Sequence, residues 1–356
     1  MELRHLHSFV AVAEELHFGR AARRLHLAQQ PLSLQIRQLE TELKVNLFVR
    51  TTRRVQLTAA GTVFLQQARQ ILAQSAQAAA LAQRAARGEI GRVAIGYTTT
   101  LLYAVLPALL RAFRARCPDV AITLRELCGM DLQAALLAGE IDVAFYEIPM
   151  ADTRICAAPL FLLPVMVALP AGHALGALDA IPLAALAGES IIQYARDKEP
   201  FVHDQLIALC RAAGFSPIVS QEASSEQAVL GLVAAGLGVG LVSPALRGFW
   251  GGDVIYRPLS EPQVTVEFGV AWRRDSVAPS ADRLVQLACE LAADGLRAGA
   301  GVEDAALPGR ANSLSEPAAS PREWAQGEDG GRSAAASLHA GGSAAGSRGL
   351  TKKDRR

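Results

Sequence analysis

The sequence predicts a chain in three parts: an N-terminal all-α winged helix-turn-helix, a long linker helix, and a C-terminal α/β body of two lobes. Three observations predict it. Around residues 28–43, Leu32, Ile36, Leu39 and Leu43 keep helical spacing, and the opposite face carries Gln30, Ser33, Leu34, Arg37, Gln38 and Thr41. That is an apolar stripe beneath a hydrogen-bonding surface. Residues 58–88 hold no proline and are dense in Ala, Gln, Leu and Arg, enough for a helix of about 45 Å at 1.5 Å per residue. From residue 89 onward strand-like and helix-like stretches alternate in two sets, the pattern of parallel α/β sheets.

In the head, Leu3, Leu6, Phe9, Val10, Ala13 and Leu16 give an amphipathic first helix, which His17-Phe18-Gly19 interrupts. Residues 21–25 form a short Ala-rich second helix, and His26-Leu27 turn into the third, where Pro31 sits in the first turn and its missing N–H costs little. Two short helices around a tight turn, the second polar-faced, make a helix-turn-helix. Residues 47–50 and 55–57 read as strands around a basic tip, a wing. Gln, Arg and Ser suit base edges and phosphates, and Arg50, Arg53 and Arg54 would meet phosphates or enter a minor groove. An ordinary solvated helix and hairpin tip use the same residue types.

Charge is uneven. Residues 1–88 hold 12 Lys and Arg against 5 Asp and Glu, residues 89–298 hold 15 against 22, and the remainder 8 against 7. A basic head on an acidic body suits a polyanion-binding module joined to something else. Half of the chain is apolar, so a large core is expected. No export signal and no run of about 18 apolar residues is visible, so a cytoplasmic protein without membrane spans is expected. Cys117, Cys128, Cys156, Cys210 and Cys289 show no close pairs and no CxxC, which predicts free thiols and no zinc. No cofactor is expected. Gly236-Leu237-Gly238-Val239-Gly240 lacks a clear preceding strand, Ser243 lacks a GxSxG setting, and four of seven His lie in the head. No catalytic constellation emerges, so the sequence is not read as an enzyme.

The run "MELRHLHSFVAVAEELHFGRAARRLHLAQQPLSLQIRQLETEL", followed by "LFVRTTRRVQLTAAG", resembles the LysR-type transcriptional regulators. The resemblance implies a DNA-binding domain over residues 1–58, with its second motif helix in the major groove of double-stranded promoter DNA. Gln29, Gln30, Pro31, Ser33 and Gln35 match the family's DNA-contacting run, and Arg50, Arg53 and Arg54 its wing. Leu34 replaces the family's usual polar residue after the serine and offers a methyl contact to thymine instead. Residues 59–88 are implied to pair with the same helix of a second subunit, giving a homodimer and, by further association, a homotetramer. Packing of this helix on its own chain is the alternative.

In the body, residues 92–97, 120–127 and 141–146 are strand-like and 101–116 and 131–138 helix-like. A second set follows: strands 191–194, 218–222 and 239–241, helices 201–213 and 225–235. Apolar runs 160–169 and 264–272 could cross between the lobes, leaving a ligand site beyond the strand ends. "LLAGEIDVAF" and "LGLVAAGLGVGLVS" make residues 89–298 similar to the family's effector-binding domain, which is periplasmic-binding-protein-like. The likeness is to the branch sensing aromatic-pathway metabolites such as muconate, and it implies a small organic effector.

Thr98, Thr99 and Thr100 lie between the first strand and a helix, where their hydroxyls could hold a carboxylate or simply cap. Thr100 matches the family's pocket serine. Gly129 stands where that branch offers a hydroxyl, and Glu147 where it carries an arginine, so a carboxylate would be repelled unless Arg196 or Lys198 pairs with Glu147. Tyr146, Tyr194, Arg196, Phe201 and His203 are candidates for the second lobe's side of the site, with core or surface roles as alternatives. Cys128 lies near the cleft as a thiol sensor or an inert small residue. The Ala/Gly/Ser/Pro-rich residues 299–356 are expected to be disordered. The rival reading from another class is a small-molecule binding or transport protein with an incidental helical head.

Overall fold

The opening helix ends where its backbone turns left-handed. In the computed structural model, which describes residues 1–50, 54–147, 152–260, 263–275 and 278–294, α1 spans Leu3–Glu15 and Leu16 adopts φ 47° beyond it. His17 then starts α2, Phe18–Arg24, its Nδ1 accepting from the amides of Gly19 and Arg20. His17-Phe18-Gly19 is thus a cap and first turn, so α2 begins three residues earlier than expected. In α3, Gln29–Leu43, the predicted stripe is inward: Leu32, Ile36 and Leu39 are fully buried. β1, Phe48–Arg50, pairs antiparallel with β2, Val55–Leu57.

α4 runs Ala59–Ala86. Thr58 caps it, its hydroxyl accepting from the Gly61 amide at 2.9 Å. A Cβ at Gly61 would sit 2.1 Å from the Leu47 carbonyl oxygen, so only glycine lets α4 approach the wing this closely. Phe9 of α1 joins the wing and α4 through Phe48 and Phe64, at 5.3 and 5.1 Å between ring centroids. The apolar and Ala-rich positions of α4 divide into two parts. Phe64, Leu65, Ala68, Ile71 and Leu72 pack into the head's own core, whereas Ala76, Ala78 and Ala79 are exposed.

The chain divides into two units, Met1–Ala86 and the part from Arg87 on. The second begins with β3, Ile90–Tyr97, then α5, Thr99–Ala104, and α6, Leu106–Arg116. The single helix expected over 101–116 breaks at Val105, whose φ is −134°, with Pro107 in the first turn of α6. β4 (Asp119–Glu126), α7 (Gly129–Ala138) and β5 (Val143–Glu147) complete the first strand set. β6 (Ile155–Pro164) and β7 (Met166–Pro170) follow, then β8 (Ser190–Tyr194), α8 (Pro200–Ala212), β9 (Ile218–Ala223), α9 (Glu226–Ala234) and β10 (Val239–Val242). β11 (Val254–Pro258), β12 (Thr265–Arg273) and α10 (Pro279–Ala293) close the unit.

Two five-stranded sheets result, in the orders β4-β3-β5-β12-β6 and β11-β7-β10-β8-β9. The first apolar run, 160–169, crosses between them, since β6 lies in the first sheet and β7 in the second. The second, 264–272, forms β12 and stays in the first sheet; the chain passes from β11 of the second sheet just before it. Where the crossings meet, the Val165 amide donates to the Val264 carbonyl at 2.8 Å. Gly236 and Gly238, at φ 76° and 156°, turn α9 into β10. That is helix-to-strand, the reverse of a dinucleotide loop. Among the described residues no helix is long and apolar enough to cross a membrane. Residues 299–356, and with them the expected disorder, lie outside the described residues.

Candidate nucleic-acid interface and ligand cleft

The buried stripe of α3 fixes which side chains face outward. Gln29, Gln30, Pro31, Arg37 and Gln38 are exposed, as is Leu34 at 66 %, while Ser33 and Gln35 are half-buried. Gln35 is turned inward: its side-chain carbonyl accepts from the Ser8 hydroxyl of α1. Only its NH₂ group remains for an outside partner, which corrects the expectation of a fully presented amide.

Arg50 is engaged within the head as well. Its Nη2 donates to Glu40 Oε2 at 2.6 Å, and its guanidinium lies 5.1 Å over the Phe18 ring. The other oxygen of Glu40 accepts from the amides of Leu47 and Phe48 at 2.9 and 3.1 Å. Glu40 therefore clamps the wing to α3, satisfying donors that the short strand cannot. Arg50 thus helps build the wing's base. Arg54 is exposed, and Arg53 lies outside the described residues.

In the second unit a cavity of about 260 Å³ opens between the sheets. Thr98, Thr99, Thr100, Glu147 and Tyr194 line it, as expected. Glu126, Gln193, Glu199, Glu226 and Ser243 join them, none of which the sequence reading singled out as a site residue. Two of the three threonine hydroxyls are already engaged with glutamates. Thr100 donates to Glu226 Oε2 at 2.6 Å and Thr99 donates to Glu126. Thr98 Oγ1 has no partner among the described residues.

Gly129, Tyr146, Arg196, Phe201 and His203 do not line the cavity. The missing side chain of Gly129 makes room: a Cβ there would lie 2.5 Å from Glu199 Oε2 and 2.7 Å from the Tyr146 ring. The Gly129 amide donates to Glu199 Oε1 at 2.7 Å, so a carboxylate from the second lobe occupies the place of the hydroxyl expected there. Tyr146 is packed in the core beneath. Arg196 reaches outward, both nitrogens on Asp204 at 2.8 Å, and His203 turns to the same carboxylate. Neither Arg196 nor Lys198 pairs with Glu147, whose Oε2 is buried without a partner. The error on α8 is one of phase. Glu199, Val202, Gln205, Leu206 and Leu209 face the cleft at helical spacing, and 201 and 203 fall between them.

The electrostatics are those of an acid cluster. Burial, and then the charges of Glu199 and Glu226, push the Glu147 carboxyl up to about 8. Burial raises Glu199, and it raises Glu226 despite the bonds from Thr100 and Ser243. Glu226 and Glu199, both from the second lobe, accept from Thr100 and Gly129 of the first, so the same carboxylates latch the lobes. Burial also raises the Cys128 thiol, which donates to Asp131 at 2.9 Å. That opposes the thiolate a sensor would need. Among the described residues no set of three His, Cys, Asp or Glu could hold a metal ion.

Two family models match this architecture. Residues 3–62 match the bacterial regulatory helix-turn-helix protein, lysR family, and residues 86–293 match the LysR substrate binding domain. The chain belongs to the LysR family of transcriptional regulators. It is 43 % identical over 279 residues to the HTH-type transcriptional regulator AlsR of Bacillus subtilis, covering 78 % of this chain and 92 % of that one. The crystal structure of CbnR, a LysR family transcriptional regulator, matches with a TM-score of 0.70 and 30 % identity over 81 % of this chain and all of CbnR. Full-length CbnR complexed with its target DNA matches at 0.68 and 29 %, over 82 % of this chain and all of that one. As a LysR regulator the chain carries its DNA-binding module in α1–α3 and the wing. The two-lobed unit is its small-molecule-binding module.

Proposed function

We propose that this LysR regulator reads operator half-sites with the exposed face of α3, and that a small molecule in the acidic cleft changes how its heads engage DNA. The observation that carries the reading is the arrangement of α3. Gln29, Gln30, Arg37 and Gln38 are held outward by a fully buried Leu32, Ile36, Leu39 stripe, with Pro31, Ser33 and Leu34 between them. In this reading Gln30 and Gln38 contact base edges, Arg37 and the wing's Arg53 and Arg54 contact phosphates, and Arg50 positions the wing. The domain boundaries follow the same division: residues 1–58 bind DNA, 59–88 link and dimerise, and 89–298 bind the effector. The Ala-rich exposed half of α4 is the dimer face, since an isolated helix of this kind needs a partner. Pairs of dimers form the tetramer. No reaction is assigned to the cleft: the relative at 43 % identity is a transcriptional regulator.

The test is a salt-series gel shift on the gene's own upstream DNA and a genomic fragment pool. Wild type should show saturable, sequence-preferring binding. Gln30→Ala should relax the preference, losing about 1–3 kcal/mol of discrimination at one base pair. Arg37→Ala should weaken all sequences alike and reduce the salt slope by about one. Absence of specific binding across the whole pool would refute the reading.

A further inference from the structure

We propose that the ligand of the cleft is a small organic cation, a protonated amine carried on an apolar carbon frame. This rests on the reading of the cleft as the effector site. Three of the four lining glutamates reach it from separate elements: Glu147 at the end of β5, Glu199 just before α8, and Glu226 at the start of α9. The described lining contains no Lys, Arg or His, so an anionic effector finds no counter-charge.

A second observation points the same way. Four polar atoms of lining residues are buried without a hydrogen-bond partner among the described residues: Thr98 Oγ1, Glu147 Oε2, Gln193 Oε1 and Glu199 Oε2. Thr98, Gln193 and Glu199 are only 7 %, 1 % and 7 % exposed. Buried polar groups are ordinarily satisfied. The amide oxygen of Gln193 can only accept, and Glu147, whose carboxyl burial pushes up to about 8, becomes a pure acceptor on giving up its proton, so what completes this site is a donor that displaces that proton. An ammonium supplies three donors and the missing charge together. A bare metal ion is not the fit, because no set of ligating side chains converges on one point among the described residues. Around the lobe crossing the lining is apolar, with Leu163, Val165, Leu206 and Val264. A carbon frame covers that surface, and the volume of about 260 Å³ suits a small one.

Isothermal titration of the full-length protein with 2-phenylethylamine, 2-phenylethanol and phenylacetate tests the charge on one common body, and 1,4-diaminobutane tests a second frame. At least one amine should bind saturably and at least tenfold tighter than the alcohol, with no measurable binding of phenylacetate. Glu147→Gln should weaken the amine at least tenfold while leaving DNA binding by the separate head intact. Amine binding should strengthen between pH 6 and pH 9, with proton release visible as different heats in phosphate and Tris buffers. Failure of both amines to bind at millimolar concentration, or tighter binding of phenylacetate, overturns the proposal. A phenylacetate complex that alters the DNA footprint would leave the effector-site reading standing without it. Amine binding that leaves the DNA footprint unchanged would support the ligand class and refute the effector-site reading.

Discussion

Gly129→Ala tests a point where the two lobes meet. The new Cβ would lie 2.5 Å from Glu199 Oε2, 2.7 Å from Tyr146 Cε2 and 2.9 Å from Tyr146 Oη. Glu199 can swing its carboxylate away, but then loses the 2.7 Å bond from the Gly129 amide. That leaves a buried donor and acceptor without partners, at about 1–3 kcal/mol. Tyr146 cannot yield as easily, because it is 7 % exposed in a packed core, and overpacking such a site costs about 1–3 kcal/mol. Together the substitution should destabilise the body by about 2–6 kcal/mol. At ~2–4 °C per kcal/mol for a unit of this size, the melting temperature should fall by at least ~4 °C. Thermal and urea unfolding of the full chain, followed by tryptophan fluorescence, measure this; Trp250 and Trp272 both lie in the body. In a Glu199→Ala background the penalty should shrink, since one of the two clashes and the bond are already gone. An unchanged melting temperature, or an equal penalty in both backgrounds, would refute the close approach of Glu199 and Tyr146 to this glycine.

Two other perturbations probe the acid cluster and the head. Glu147 has a folded pKa near 8, above its ordinary value near 4.5, so between those limits the native state holds more protons than the unfolded chain. The stability this group contributes is present at low pH and is lost as pH rises through about 8, at up to ~1.4 kcal/mol per pH unit. Glu199 and Glu226 are shifted in the same direction. Urea titrations of the body in a pH series should show the decline, and Glu147→Gln should flatten it; a wild-type profile that rises over this interval would contradict the burial. In the head, Glu40→Ala removes the acceptor of two wing amides and of Arg50. It should cost about 2–3 kcal/mol in head unfolding and weaken binding to all DNA sequences, whereas an unchanged head would show that the wing stands without the clamp.

The amino-acid sequence by itself determined most of the fold. Period and spacing are local properties. The stripe of Leu32, Ile36 and Leu39, the Thr58 cap and the alternating body segments each declare themselves within a few residues. The long helix was equally legible, but its division was not, because Phe64 and Ala78 look alike in a pattern until packing assigns one to the head's core and leaves the other exposed. The cleft was decided only by tertiary structure. Of its four lining glutamates only Glu147 was singled out, through the family register; Glu126, Glu199 and Glu226, each taken singly, read as solvated surface acids. Gly129 shows why. An absent side chain carries no signal in one dimension, and its meaning appears only when Glu199, seventy residues on, fills the space. Burial and charge convergence depend on long-range contacts, and those determine the chemistry of this site.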